Sequence, residues 1–246
     1  MNDSTSAISP AWPTRWPKNS FTGPWTWLIA GFIAGLFIVV FFFSIRSTGP
    51  KNISTFEVDA VIEVQFVVDA LLVALLLWTL PSLSKFTLRE LGFRVPQRAT
   101  IVAALIGAAA MFVVANGSAT LIDYLARAEH PQDIVQIFKH LHDPTTITIF
   151  TLFAVVFAPF AEETLFRVFF FNLGLRYSGF WGGAVTSGLL FGIAHGDLYA
   201  LVPLALGGIV LCAVYYRTKN AYASMISHSL FNAVSIVFLL AGQKVT

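Results

Sequence analysis

The sequence predicts an all-α protein, a single bundle of about seven to eight membrane-spanning helices without a sheet. Hydrophobic residues make up 57% of the 246 residues and charged residues only 11%, whereas soluble domains carry about 25% charged residues. The mean hydropathy is +0.75. Apolar runs recur along the chain at lengths close to the roughly 20 residues that a helix needs to cross a bilayer. We therefore expect one integral membrane domain over residues 1–246.

The charge and cysteine content exclude several other classes of protein. The net charge of +2 is too small to indicate a nucleic-acid partner. Cys212 is the single cysteine, so one chain can form neither a disulfide framework nor a cysteine metal site. The predicted partner is the lipid bilayer.

The predicted elements follow in chain order. Residues 1–23 are polar and rich in proline, a composition that favours a flexible N-terminal tail. Seven apolar segments are predicted spans, and the first is too long for the core of a signal peptide. They are Trp25–Ile45, Asp59–Leu80, Thr100–Ile122, Ile147–Phe171, Trp181–His195, Leu198–Tyr216 and Ala221–Leu240.

Polar side chains in the first half of the chain are given no chemical role. In the second span, Asp59 and Glu63 suit the membrane interface, and Asp69 is expected to face the bundle interior. The long loop 123–144 has apolar residues at helical spacing, which predicts a short amphipathic helix on the membrane surface. Its three histidines, at 130, 140 and 142, are interpreted as solvated rather than as metal ligands.

Lysine and arginine in the short loops predict the orientation. They are more numerous in the segments that share a side with the N-terminus than in the others. By the positive-inside rule the N-terminus is cytoplasmic, which fits the cytoplasmic membrane. One span more or fewer after Phe171 would move the C-terminus across the membrane, so its side stays open.

The fourth span contains the charged cluster around which the sequence is organised. Glu162, Glu163 and Arg167 lie within a long apolar run. One charge at the centre of a membrane helix costs roughly 2.5–3.5 kcal/mol on insertion scales, so these side chains should face a protein interior or a wet cavity. Such a cluster indicates a functional site, with a purely structural ion pair as the alternative.

Two later segments carry polar groups at a similar depth. His195 ends the fifth span, and His228 lies with Asn232, four residues on, in the seventh. At about 1.5 Å rise per residue, both histidines and Glu162 lie on the order of 10–20 Å from the inner side. We therefore expect three helices to bring these groups together.

The spacing of the charged residues along the fourth span predicts different roles for the two glutamates. Glu163 and Arg167 are four residues apart on one face and are predicted to form a supporting pair. Glu162 points about 100° away from that face and is predicted to activate water as a general base. His195, His228 and Asn232 complete the catalytic set by holding the water, passing a proton and stabilising an oxyanion.

A metal site is the alternative use of the same groups. Glu162, His195 and His228 would provide two imidazoles and one carboxylate, with a position open for water. The His-Glu-x-x-His pattern of zinc peptidases is missing. Both mechanisms stay open at this point, no cofactor or one zinc ion, with a preference for metal-free glutamate chemistry. Serine or cysteine nucleophiles are disfavoured because none has an evident base partner.

The polar groups form three motifs that resemble a known family. The motifs are, in chain order, Glu162-Glu163-x-x-x-Arg167, Phe191-x-x-x-His195 and His228-x-x-x-Asn232. Together they resemble the CPBP intramembrane proteases, the CAAX protease and bacteriocin-processing (Abi) family, which includes the type II CAAX prenyl endopeptidases. The resemblance covers roughly residues 146–240, and the segment Leu88-x-x-Leu91-Gly92-Phe93-Arg94 is similar to a less specific family pattern.

The resemblance implies peptide-bond hydrolysis within or near the bilayer. It implies Glu162, His195, His228 and Asn232 as the active-site positions, and members of the family have been described both as metalloproteases and as glutamic proteases. The predicted function is thus an intramembrane endopeptidase acting on a membrane-associated peptide or protein. The alternatives are a non-catalytic interaction protein, such as a bacteriocin-immunity factor or scaffold, and an ion-coupled transporter.

Overall fold

A computed structural model describes residues 17–46, 55–127 and 143–243. Every regular element in these ranges is helical, so the predicted all-α class is confirmed. The elements are α1 (Pro24–Arg46), α2 (Thr55–Ser84), α3 (Arg98–Ala126), α4 (Pro144–Leu152), a first π segment (Phe153–Phe157), α5 (Ala158–Glu163), a second π segment (Thr164–Phe171), α6 (Asn172–Ala194), α7 (Leu201–Thr218) and α8 (Ala221–Gln243). The predicted amphipathic helix and the histidines at 130, 140 and 142 lie outside the described residues.

The number of membrane helices is lower than predicted. Within the described residues, five helices are long and apolar enough to cross a membrane, and Pro24–Val40 is a shorter apolar helix. The prediction of seven to eight was too high because two predicted spans form the single element Pro144–Ala194. That element is interrupted at Gly179, where φ is 70° and ψ is −171°. The part of the helix beyond Gly179 is too short to qualify alone.

The chain folds back on itself at Gly179. A side chain on Gly174, before the bend, would meet the backbone of Gly183, after it, at 2.5 Å. The two arms therefore touch backbone to backbone, and only glycine permits that approach. The bend packs α6 against the second π segment and fixes the position of its C-terminal end, where His195 lies.

The core is formed by the second π segment and the helices α6, α7 and α8. All eight residues of that π segment are buried, including the charged Arg167. Helix α3 packs on α7 and α8, and α1 packs on α6. Many large apolar side chains on α1, α2 and α3 are exposed, as expected for surfaces that contact lipid rather than water.

The last part of the predicted N-terminal tail is folded against the bundle. Phe21 is completely buried. Its N–H donates to the carbonyl of Leu83 at 2.7 Å, and its carbonyl accepts from the Tyr177 hydroxyl at 2.9 Å. The predicted tail is therefore too long at its C-terminal end, since residues 17–23 join two helix ends. The first 16 residues lie outside the described part of the chain.

The basic loop between α2 and α3 is joined to the same end of the bundle. The buried Tyr215 hydroxyl donates to the carbonyl of Leu91 at 2.7 Å and accepts from Nδ2 of Asn172 at 2.9 Å. Gly92 has φ of 104°, and its carbonyl accepts from the N–H of Ala221 at 2.9 Å. The Leu-Gly-Phe part of this loop is thus a structural connection to the start of α8.

Candidate active site

Two π segments frame the short helix that carries the glutamates. π-helical turns are rare and occur frequently at functional sites. In the first π segment, the N–H of Ala158 bonds the carbonyl of Phe153, and Pro159 has no N–H. The carbonyl of Ala154 therefore has no backbone donor from the next turn. The π turn thus lies just before Pro159.

Asn232 supplies the missing hydrogen-bond donor to the carbonyl of Ala154. Its Nδ2 donates to the oxygen of Ala154 at 2.7 Å, which ties α8 to the glutamate-bearing helix. Asn232 was predicted to stabilise an oxyanion. In the described structure one of its amide hydrogens is used to connect helices, and only the second hydrogen is left for a substrate.

Glu163, Arg167 and His228 form a buried row of charged and polar groups. The Glu163 and Arg167 side chains are fully buried, and His228 is 3% exposed. Nε of Arg167 lies 3.1 Å from Oε2 of Glu163, close enough for an ion pair but not aligned as a hydrogen bond. Oε1 of Glu163 lies 3.1 Å from Nδ1 of His228. The predicted supporting pair is present, and it extends to the histidine.

The contact with Glu163 decides which nitrogen of the His228 ring carries a hydrogen. A carboxylate only accepts hydrogen bonds, so Nδ1 of His228 carries the proton shared with Glu163. The other nitrogen, Nε2, is then free to accept a proton. It lies 3.8 Å from Oε2 of Glu162, beyond direct hydrogen-bond range.

Glu162 lies at the open edge of this row. A quarter of its side chain is exposed, 25%, against 0% for Glu163. Its Oε2 atom is itself shielded and has no hydrogen-bond partner within the described residues. The sequence placed the two glutamates about 100° apart and assigned His228 to Glu162 alone. His228 instead lies between both carboxylates.

His195 lies apart from the other polar groups. Its Nδ1 donates to the carbonyl of Phe191 at 2.7 Å, which leaves Nε2 unprotonated on a side chain that is exposed. Within the described part of the chain, no hydrogen bond joins it to Glu162 or His228. The expected convergence thus holds for Glu162 and His228, whereas His195 borders the site.

Phe191 separates the two histidines. Its ring is buried, with its centroid 4.7 Å from that of His195 and 5.5 Å from that of His228. The guanidinium carbon of Arg167 lies over it at 4.6 Å, a cation–π arrangement. Phe191 is part of the second sequence motif, but the sequence predicted no role for it. The spacing to His195 was the available signal, because four residues place both rings on one helix face.

Other polar residues near the motifs have structural contacts. The Oδ1 atom of Asp197 accepts from the N–H groups of Tyr199 and Ala200, which stabilises the turn before α7. The Ser227 hydroxyl donates to the carbonyl of Ala104 at 2.8 Å. Cys212 is fully buried. None of these groups is placed as a nucleophile.

The arrangement does not match a three-ligand metal site. Among the described residues, no group of three His, Cys, Asp or Glu side chains is close enough to hold an ion. Of the three ligands considered from the sequence, Glu162 and His228 face each other, but His195 bonds its own helix. The residues as placed therefore do not fit the two-imidazole, one-carboxylate set.

Comparison with known proteins finds a family model similar to the second half of the chain. Residues 144–234 match the family model described as "Type II CAAX prenyl endopeptidase Rce1-like". The matched range contains all three motifs. This part of the chain is similar to that family, in line with the resemblance of the motifs. No solved structure matches the chain.

Similar curated proteins come from several bacteria. The "Putative membrane peptidase YdiL" of Bacillus subtilis is 25% identical over 185 residues, which cover 72% of this chain and 70% of that protein. The "Membrane-embedded CAAX protease MroQ" of Staphylococcus aureus is 30% identical over 105 residues, 40% of this chain and 42% of that protein. The chain thus matches less than half the length of the second relative. Together with the apolar helices, these likenesses identify an integral membrane protein.

Proposed function

We propose that this protein is an intramembrane endopeptidase that hydrolyses a peptide bond of a membrane-associated peptide or protein. The observation that carries the proposal is the position of His228 between the carboxylates of Glu162 and Glu163. Polar residues with a purely structural role in a bilayer would each be buried against a partner. Here the carboxylate of Glu163 is buried with its partners, whereas the carboxylate of Glu162 lies at an open edge.

Glu162 and His228 are the groups that activate water. Oε2 of Glu162 and Nε2 of His228, 3.8 Å apart, can both contact one water molecule. The water oxygen attacks the peptide carbonyl carbon as its proton moves to Glu162. The same proton is then delivered to the leaving nitrogen as the C–N bond breaks, which yields an acid and an amine. Glu163 and Arg167 hold the His228 ring throughout.

The oxyanion formed in this step needs donors that the two glutamates cannot supply. The second amide hydrogen of Asn232 is one such donor. His195 has an exposed ring at the border of the site, and in its imidazolium form, with a proton on each nitrogen, Nε2 would supply a second donor. The roles of Asn232 and His195 as donors are proposed because both residues belong to the motifs and each keeps a polar group that its structural hydrogen bond does not use.

The proposed setting is the cytoplasmic membrane, with the N-terminus on the cytoplasmic side. The loops richest in lysine and arginine meet at one end of the bundle, where residues 17–23, the Leu91 loop and the turn before α8 are joined. The positive-inside rule places that end in the cytoplasm. A reporter fused at residue 17 or in the turn at 219 should therefore be cytoplasmic.

The central experiment compares membrane proteomes of cells that carry the wild-type protein or the Glu162→Ala variant. Peptide fragments present in the wild type should disappear in the variant, while the protein itself accumulates normally. If the fragments persist, Glu162 has no part in catalysis. If the variant keeps the full biological effect of the protein, a non-catalytic interaction role replaces the protease.

Metal dependence is tested separately. The proposed chemistry runs through Glu162 and needs no metal, so activity of the purified protein should survive dialysis against a strong chelator. Elemental analysis should find no stoichiometric zinc. Activity that is lost to the chelator and restored by zinc would overturn the metal-free mechanism.

A further inference from the structure

A lateral groove of about 610 Å³ separates α2 from the helix that carries the glutamates. Seven of its eight lining residues are apolar, and both walls belong to helices that can cross a membrane. The lining residues are Glu63, Phe66 and Val67 on α2, and Ile149, Leu152, Phe153, Val156 and Phe157 on the opposite wall. Such walls accept an apolar chain more readily than a polar solute.

Glu63 is the one ionisable group among these lining residues. Glu63 is the first residue of the membrane span Glu63–Ser84, and an acidic side chain beside apolar walls at this edge of the bilayer attracts a cation. Charge interactions are also stronger there than in water, because the surrounding dielectric constant is low. Charge complementarity therefore points to a basic group on whatever fills the groove.

The groove leads toward the proposed site. The ring of Phe66 lies 4.3 Å from that of Phe157, in the π segment whose other side is bound by Asn232. Further along α2, Asp69 is half-buried, and α2 packs against α5, the helix that carries Glu162. Asp69 follows Glu63 by six residues on α2, a distance of about 9 Å along the helix axis. An extended peptide spans that distance with about three residues.

We infer that the groove receives an apolar segment of a membrane-bound peptide that carries a basic side chain, and that Glu63 binds this side chain. The segment enters between α2 and α4, and its basic residue lies about three residues from the bond presented to Glu162. This inference rests on the proposed function for the identity of the cut bond, but not for the occupancy of the groove.

Binding is measured by photo-crosslinking to the full-length Glu162→Gln protein in lipid nanodiscs, so that no cleavage occurs. The probe is a synthetic apolar peptide of about 20 residues with one lysine and one photoreactive residue. A second peptide has norleucine in place of the lysine. The lysine peptide should crosslink roughly fivefold to tenfold more strongly, as expected for one ion pair away from bulk water.

Two pairs of variants separate charge from shape. Glu63→Gln should abolish the preference for lysine, whereas Glu90→Gln, the same change in a loop outside the groove, should keep it. Val67→Trp should block the crosslink by filling the groove, whereas Val68→Trp, on the same exposed helix but not among the lining residues, should not. Equal crosslinking of both peptides, or a crosslink unaffected by Glu63→Gln, would overturn the inference and favour a lipid chain as the occupant.

The position of the basic residue is tested in the wild-type protein. Peptides with lysine moved one residue at a time should be cut at a bond that moves with the lysine. Cleavage that ignores its position contradicts the inferred register. If no peptide is cut by the wild type while the Glu162→Gln protein still prefers lysine, the proposed protease function fails and the groove assignment stands.

Discussion

Glu162 and Glu163 are neighbours in the sequence, yet the protein surrounds their carboxylates in opposite ways. Glu163 is fully buried, with an arginine on one oxygen and a histidine on the other. Glu162 is a quarter exposed, and its Oε2 lies 3.8 Å from the far nitrogen of the same histidine. The difference indicates that one carboxylate fixes the geometry and the other is free to react. The predictions below test this division.

The largest effect is expected from exchanging the two glutamates for glutamine one at a time. Glu162→Gln should lower cleavage by at least about 10²–10⁴-fold, the usual contribution of a general base, and leave the thermal unfolding temperature in detergent unchanged. Glu163→Gln should lower both activity and unfolding temperature, because it disrupts the buried pair. If the two variants show the same profile, the division between a holding and a reacting glutamate is wrong.

A large loss of stability is expected from Arg167→Met. The change leaves Glu163 buried without its cationic partner, and removing one member of a buried pair costs about 3–5 kcal/mol. The free energy of unfolding in mixed micelles measures the loss. Arg217→Met is the matched control, since Arg217 is exposed at the end of α7 and its change should remain within about 0.5 kcal/mol. Similar losses for both variants would contradict a buried ion pair.

An intermediate effect is expected at Asn232. Asn232→Ala leaves the carbonyl of Ala154 without its donor, which costs about 1–3 kcal/mol when the group is buried. Pro159→Ala restores an N–H near that carbonyl, so the double variant should lose less stability than the two single changes added together. A double-mutant cycle measures this coupling. Strict additivity would show that the π turn and Asn232 are independent.

The smallest effect is expected at the start of α4, outside the membrane. Hydrogen bonds from the N–H and then the hydroxyl of Thr146 hold the pKa of Asp143 below its usual value of 3.8. Because the folded-state pKa is lowered, the stabilisation is complete above pH 3.8 and is lost as the pH falls through the lower folded-state value. Hydrogen exchange at the first amides of α4 should therefore accelerate in acid. Asp143→Asn, which retains a capping oxygen, should show no such acid step.

The sequence determined the class of protein and predicted which residues form the site. Its apolar runs, close to the roughly 20 residues of a membrane helix, predict helices, each of which satisfies its own backbone hydrogen bonds. The cost of charge in lipid requires Glu162, Glu163 and Arg167 to face a protein interior or a wet cavity. These conclusions follow from local chemistry, which spacing along one helix can express.

The tertiary structure decided which site residues contact one another across different helices. Spacing on the regular helix α5 separates Glu162 from Glu163, yet His228 contacts both carboxylates from another helix. The contacts of Asn232 with Ala154 and of Phe191 with both histidines also depend on packing between helices distant in sequence. Periodicity reports only which face a residue occupies on its own helix. It carries no information about which neighbouring helix that face meets.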